Sequence, residues 1–357
     1  MTNAARCIGV ASAIAWAAVD LPAQPRRDAP ACYAGPIVAP VPVPFSTFAT
    51  LRRRYVLPDD GASAVLSVRS LAFTPTGQVL ITDGRNKRVL EFDADFVRAR
   101  LIGREGAGPG EYRLPRQAVV AKDGSIIVLD AQLTRTVTFS ATGESKSAQQ
   151  TPTVDARTLL PLADGGLLFG GMTRSRGQEM LLTRSTSTGG VSWIAVPADT
   201  IVTALRLIVD GVWMSPGIAG DVFVGLQVAP RVFRVRLDDG AVLCRAQIPT
   251  SAWRQLLPER RPQRETLASI REWIETATVI ASSAVLETGE LVLTISSGKR
   301  GEEVYDWIVF DAALRAKTLV GEAPGRLVAT HAGELFVVGE DNEGRSVISR
   351  FVIANRK

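Results

Sequence analysis

The chain alternates short apolar runs with polar turns. Runs rich in Val, Ile, Leu and Thr stop at Gly, Asp or Pro, and stretches with a helical period are scarce. That pattern predicts a mostly β protein. One turn recurs, a glycine followed by an apolar run. It stands at Gly77 in "TPTGQVLIT", Gly124 in "AKDGSIIVL", Gly165 in "LADGGLLFG", Gly211 in "IVDGVWMSP", Gly289 in "LETGELVLT" and Gly333 in "THAGELFVV". Successive glycines are 47, 41, 46, 78 and 44 residues apart. Four of these intervals match the length of one propeller blade, and the long one reads as a blade plus an insertion of about thirty residues.

A strand, a polar turn and another strand follow most of these glycines. Examples are "VLEFDADFVRARLIG" (89–103), "TVTFSATGESKSAQQ" (136–150), "LLTRSTSTGGVSWIAV" (181–196), "VFRVRLDDGAVLCRAQI" (232–248) and "DWIVFDAALRAKTLV" (306–320). Each unit therefore carries four strands. Six such units predict an all-β chain, a six-bladed propeller of four-stranded antiparallel blades over residues 45–357. The sixth unit stops at "SVISRFVIANRK" (346–357), after its third strand. Its outer strand is expected from "FSTFATLRRRYVL" (45–57), a splice that would close the ring, whereas a solenoid would need caps at both ends.

The stretch "LIGREGAGPGEYRLPRQAVV" (101–120) raises the question of a phosphate loop. Gly103 and Gly108 have the Walker spacing, but Pro109 and Gly110 follow in place of Lys and a hydroxyl residue. Gly106, Gly108 and Gly110 alternate strictly and lead into another strand, so the dinucleotide fingerprint fails as well. The stretch reads as a crossing between blades, where glycine supplies the positive backbone angles a tight traverse needs.

Two of the units carry a more specific pattern. "VLITDGRNKRVLEFDADF" (79–96) followed by "GREGAGPGEYRLPRQAVVAKDGSIIVLD" (103–130) resembles the NHL-repeat propellers, whose units run strand, Asp, Asn, Arg, strand and then a Gly-rich connection ending in Pro. The resemblance covers roughly residues 70 to 145. It places Asp83, Asn86 and Arg88 in the first unit, and Asp130 and Arg135 in the second, where the Asn is lacking. These are expected to be structural, Arg88 pairing with Asp83 and Arg135 with Asp130 within their blades.

Composition bounds the rest. Apolar residues make up 46% of 357, and 31 glycines with 20 prolines fit a globular chain rich in turns. The net charge of +5 comes from 41 basic and 36 acidic residues mixed along the chain, mostly arginine on the basic side. Neither a clustered basic patch nor aromatic platforms interleaved with basic residues point to nucleic acid. At the N-terminus, Arg6 precedes the apolar "CIGVASAIAWAAV" (7–19), too short to span a bilayer, and "DLPAQ" offers a cut after Ala23. Residues 1–24 therefore read as a signal peptide, 25–44 as a Pro-rich linker, and the protein as exported to the periplasm or the extracellular space without a membrane span. Export leaves Cys32 and Cys244, which could pair in an oxidising compartment; their spacing fits no zinc pattern, and the expectation is two separate thiols.

Function is expected on the face that holds the loops between second and third strands. These are "DGRNKR" (83–88), "DAQLTR" (130–135), "GGMTRSRGQE" (170–179), "SPGIAGDVFVGLQVAPR" (215–231), "SSGKRGEEV" (296–304) and "GEDNEGRS" (339–346). Loops on a rigid scaffold are where binding groups concentrate, so Arg85, Lys87, Arg174, Arg176, Lys299 and Arg300 are the candidate ligand or partner contacts. The insertion, about 255–277, reads as helical over "RPQRETLASIREWIE" (261–275), with Leu267, Ile270 and Ile274 on one stripe. Either it packs over the blades as a lid, or Trp273 joins the contact surface. A single histidine, His331, falls in a turn of the opposite face, which disfavours triad hydrolases and three-histidine metal sites. The resulting expectation is a monomeric binding or scaffolding propeller for an unknown protein, peptide or carbohydrate, with no cofactor. The alternative is a calcium-dependent lactonase resembling the gluconolactonase family, whose metal needs only carboxylate, Asn and carbonyl oxygens; Asp83, Asp130, Asp221 and Glu302 sit in scattered loops and form no set.

Overall fold

The computed structural model describes residues 32–153, 155–197, 211–249, 277–298 and 303–354, the backbone of 13–14 and 16–17, and positions 252–253, 266, 269 and 272–273. Within these, the chain is a six-bladed β-propeller. Blade 1 pairs Val68–Phe73, Val79–Asp83, Arg88–Phe92 and Ala99–Ile102 in antiparallel order from the channel outward. Blade 2 runs from Pro115–Val120 to Ser145–Gln150, blade 3 from Thr158–Pro161 to Val191–Pro197, blade 4 from Val212–Pro216 to Val242–Gln247, and blade 5 from Val279–Val285 to Ala316–Ala323. Their inner and middle strands are buried on both faces, which is why they read as unbroken Val/Ile/Leu runs, as in "IIVLD" and "LVLTIS".

Blade 6 is completed from the other end of the chain, as its truncated pattern predicts. Arg326–His331, Glu334–Glu340 and Ser346–Ile353 are followed outward by Ala49–Val56, antiparallel to the last of them. The closure is anchored by aromatic packing. Phe45 meets Trp307 and Phe351 edge-on at centroid distances of 5.0 Å each, and Phe48 meets Trp307 at 6.0 Å. Fully burying one such ring is worth about 2 kcal/mol, so these residues fix where the strand enters.

Blade 4 departs from the expected register. Gly211 does not sit between first and second strands; it precedes the inner strand Val212–Pro216, and the turn glycine is Gly220, with a φ of 72°. The apolar run after Gly211 imitates the other units, but it forms one strand earlier. The stretch 215–231 therefore divides into a turn at 217–220 on one face, the strand Asp221–Leu226, and a four-residue loop at 227–230 on the other.

The segment before the first closing strand is a strap along the rim. Cys32 is disulfide-bonded to Cys244, with Cα atoms 5.4 Å apart, which corrects the expectation of two separate thiols. The fold brings an outer strand of blade 4 under a segment 212 residues earlier in the sequence, a meeting that spacing alone does not encode. The Tyr33 N–H donates to the Ala313 carbonyl at 2.9 Å, and Pro42–Pro44 pairs parallel with Leu319–Gly321 at the edge of blade 5. Ala13–Ile14 and Trp16–Ala17 pair parallel with inner strands of blades 5 and 1.

Of the insertion, Ser269, Glu272 and Trp273 are described and helical, while Leu267, Ile270 and Ile274 lie outside the described residues. Trp273 is 4% exposed and belongs to the core that joins blades 2 to 5. It is buried in packing, which corrects its place among the expected surface contacts.

Candidate functional site

The alternation of strands sends first-to-second and third-to-fourth turns to one end of the ring, and second-to-third loops and blade crossings to the other. On the loop face the first two blades use one device twice. Asp83, fully buried at the end of its strand, accepts the N–H groups of Leu66 (3.1 Å) and Ser67 (3.2 Å) from the preceding crossing, and those of Arg85 (3.1 Å) and Asn86 (3.2 Å) from its own loop. Asp130, equally buried, accepts from Arg113 (2.9 Å), Leu114 (3.0 Å), Gln132 (3.1 Å) and Leu133 (3.3 Å). The sequence offsets are the same in both cases. Buried backbone N–H groups need acceptors, and a carboxylate offers several at once.

The arginine five positions later handles the crossing's carbonyls. Arg88 donates to Ala62 O at 2.9 Å and to Ala64 O, and its Nε lies 3.9 Å from Asp83. Arg135 donates to Gly108 O (3.1 Å) and Glu111 O (2.9 Å) rather than to Asp130, which corrects the expected second pair. The Asp130 carboxylate is already held by four N–H groups, and the open carbonyls of the glycine crossing are the nearer need. Asn86, present only in the first unit, donates a hydrogen bond from its side-chain Nδ2 to Asp83 at 2.8 Å.

The glycine crossing is structural, as its failed motifs imply. Gly103, Gly106 and Gly110 have φ of 69°, 153° and 71°, and a Cβ on Gly103 would lie 2.7 Å from both Tyr112 and Phe139. Tyr112 is buried beneath it, accepting from Val89 N and donating to Ile102 O; burial pushes its phenol up to about 12. Glu111 is held below the usual carboxylate range by the Gly108 N–H, with Arg104 adding to it.

Of the candidate contacts, Arg85 and Lys87 stand exposed on the tip of blade 1, Lys87 with Glu105 at 3.8 Å. Arg174 and Arg176 stand exposed on the hairpin of blade 3. Lys299 and Arg300 lie outside the described residues. The loop of blade 4, 227–230, carries no charge. Asp221, expected on the loop face, lies at the other end of its strand, buried and ion-paired with buried Arg234, whose Nη1 donates to Ala312 O of blade 5 at 2.8 Å.

Sequence reasoning missed a second group of arginines. Arg69, Arg116, Arg157 and Arg326 stand at or beside the first residues of four inner strands, in blades 1, 2, 3 and 6, which adjoin one another around the ring. Inner strands begin on the loop face, so these residues mark one sector of the channel mouth. Arg326 donates to Val68 O of blade 1 at 2.8 Å, and Arg69 lies so close to Gly84 that a Cβ there would fall 1.7 Å from its Nε. Burial pushes the Arg326 guanidinium below its ordinary value against the fields of Tyr305, Glu303 and Glu340. The signal was present: the arginine stands eight residues before Gly77, Gly124 and Gly165, and seven before Gly333.

Of the scattered carboxylates, the three that are described are engaged elsewhere. Asp83 and Asp130 are spent on backbone N–H groups, Asp221 is paired with Arg234, and Glu302 lies outside the described residues. Among the described residues, no three His, Cys, Asp or Glu side chains converge as a metal site. Also among them, no helix is long and apolar enough to cross a membrane.

Comparison with known proteins agrees on the fold. A family model described as a 6-bladed beta-propeller matches residues 64–196. A predicted exported protein of Bacteroides fragilis is 14% identical, with a TM-score of 0.64 over 88% of this chain and 98% of that one. A DUF4221-family member from Bacteroides vulgatus is 10% identical, with a TM-score of 0.62 over 86% and 98%. A gluconolactonase of Xanthomonas campestris is 12% identical, with a TM-score of 0.51 over 90% and 100%. No curated protein matches the chain by sequence. At these identities the likeness is one of architecture, and the class it defines is the six-bladed propeller.

Proposed function

We propose that this protein is an exported binding module that takes an anionic protein, peptide or carbohydrate over the loop face of its ring. The observation that carries this reading is the row of arginines at the starts of adjacent inner strands, with the tip cations of blades 1 and 3 above it. Arginine suits carboxylate and sulfate or phosphate groups because its planar fork donates two parallel hydrogen bonds. Asp83, Asp130, Arg88 and Arg135 already secure the frame, which leaves the tip cations available for recognition. The short apolar stretch at 7–19 and the exported character predicted for one structural neighbour support export. The calcium-dependent lactonase is the weaker reading; its support is the fold it shares with a gluconolactonase, and the carboxylates it would draw on are engaged elsewhere.

The test uses defined polyanions, polyglutamate for a peptide and polygalacturonate for a carbohydrate, immobilised for biolayer interferometry. Arg116→Ala with Arg157→Ala should weaken binding at least fivefold. Arg85→Ala, Lys87→Ala, Arg174→Ala and Arg176→Ala together should flatten its salt dependence. Lys122→Ala on the turn face should change neither. Equal losses from both faces would mean that overall charge, not this surface, does the binding.

A further inference from the structure

A second space lies on the rim, away from the channel mouth. The strap is fastened at one end by Cys32–Cys244 and the Tyr33–Ala313 hydrogen bond, and at the other by the pairing of Pro42–Pro44 with blade 5. Between these fastenings the chain arches over a cavity of about 680 Å³ set against the edges of blades 4 and 5. That volume falls within the range of small-molecule sites, roughly 300–1,000 Å³.

Its lining is amphipathic. Arg231 and Arg245 come from blade 4, and Arg315 and Lys317 from the start of the outer strand of blade 5. No Asp or Glu is among the described residues that line it. The strap contributes Pro36, Ile37 and Val38 to the same lining, and blade 5 adds Phe310 and Leu314. Ile37 and Val38 remain 59% and 65% exposed, an unusual state for branched aliphatic residues on a segment fastened at both ends. Tyr33 closes one end, with the Arg315 guanidinium 5.5 Å from its ring centre. Four like charges around one half-open space favour an anion, and apolar strap residues in the same lining favour one with a hydrocarbon body.

We propose that this cavity binds a small organic anion, an aliphatic carboxylate or phosphate monoester, with its head among Arg231, Arg245, Arg315 and Lys317 and its chain against the strap. The site is independent of the loop-face reading and shares no residue with it. Its two walls come from segments about two hundred residues apart, joined through the disulfide.

Calorimetric titration of the oxidised full chain with octanoate, octyl phosphate and 1-octanol tests this. Octanoate or octyl phosphate should bind with 1:1 stoichiometry, and whichever is tighter names the head group. The neutral alcohol should bind at least tenfold more weakly. Arg245→Ala with Arg315→Ala should weaken the anion at least tenfold. Both are surface positions, and an unchanged melting temperature would confirm that the variant is folded. Cys32→Ser with Cys244→Ser, which unpins the strap but leaves the cations, should also lower affinity. The proposal is overturned if neither anion binds at millimolar concentration, if 1-octanol binds as well as the anions, or if the double arginine variant stays within twofold of the unaltered protein.

Discussion

Aspartate forms turns on both faces of the ring, as a local cap at Asp123 on one and at Asp341 on the other, but in the first two blades its loop-face work is different. On the turn face Asp123, Asp164, Asp239 and Asp311 each accept the N–H two residues on, at 2.9 to 3.0 Å, within their own hairpin. That local bond is the first cause holding Asp123, Asp164 and Asp239 below the usual carboxylate range. On the loop face Asp83 and Asp130 are fully buried and reach back sixteen and seventeen residues to the preceding crossing. A local cap shapes one turn; a buried, long-range cap fastens one blade to the next. The difference shows what each cap secures: a local cap serves its own turn, whereas the first two blades rely on a few buried side chains to hold the loop face to the preceding crossing.

The largest expected effect comes from removing the element on which both faces depend. Deleting residues 45–57 strips the outer strand from blade 6 and the Phe45 and Phe48 anchors from its junction with blade 5. An exposed strand edge and an unfilled core should leave the protein aggregating or melting without cooperativity by circular dichroism. Melting behaviour identical to the full chain would show that closure contributes nothing.

Next in size is the contrast between the two kinds of aspartate. Asp130→Ala removes the acceptor for four N–H groups beside a buried strand end, and should cost about 3 kcal/mol in urea unfolding, with Asp83→Ala similar. Asp123→Ala exposes one turn N–H to water and should cost about 0.5 kcal/mol. Matching losses at Asp130 and Asp123 would erase the distinction between the faces.

The legible parts of the molecule are those the repeat states twice. Asp83 with Arg88 and Asp130 with Arg135 keep one spacing, so their structural role could be read, but Arg135's turn toward Gly108 and Glu111 depends on which carbonyls the crossing leaves open. Gly211 misled because an apolar run after glycine has the same pattern before an inner strand as after a turn. The channel-mouth arginines are hard to see in the sequence because each is a single polar position at or beside the start of an otherwise apolar inner strand. Cys32 and Cys244 meet through the route of the strap, and no periodicity records that route. Trp273 shows the limit of residue type as a guide: the same side chain serves a binding surface or a core, and only packing decides.

The smallest effect concerns His331, the chain's single histidine, at the turn-face end of blade 6. Its ring stacks on Phe73 of the neighbouring blade at 4.1 Å and 8°, part-buried where blade 6 meets blade 1. Burial lowers its pKa below the ordinary 6.5, outweighing the upward pull of Glu287 and Glu334, while Arg350 lowers it further. The unfolded chain therefore takes up a proton at higher pH than the folded one. The histidine's contribution to stability is fully present above about pH 6.5 and is lost as pH falls from there through the depressed folded value. His331→Phe keeps an aromatic ring on Phe73 and removes the proton site. Melting temperatures measured at pH 7.5 and 5.0 should fall less for His331→Phe than for the unaltered protein, once the shared carboxylate contribution is subtracted. A variant that loses as much as the parent would show that the stacked ring titrates alike in both states, and that the turn face carries no pH response at this position.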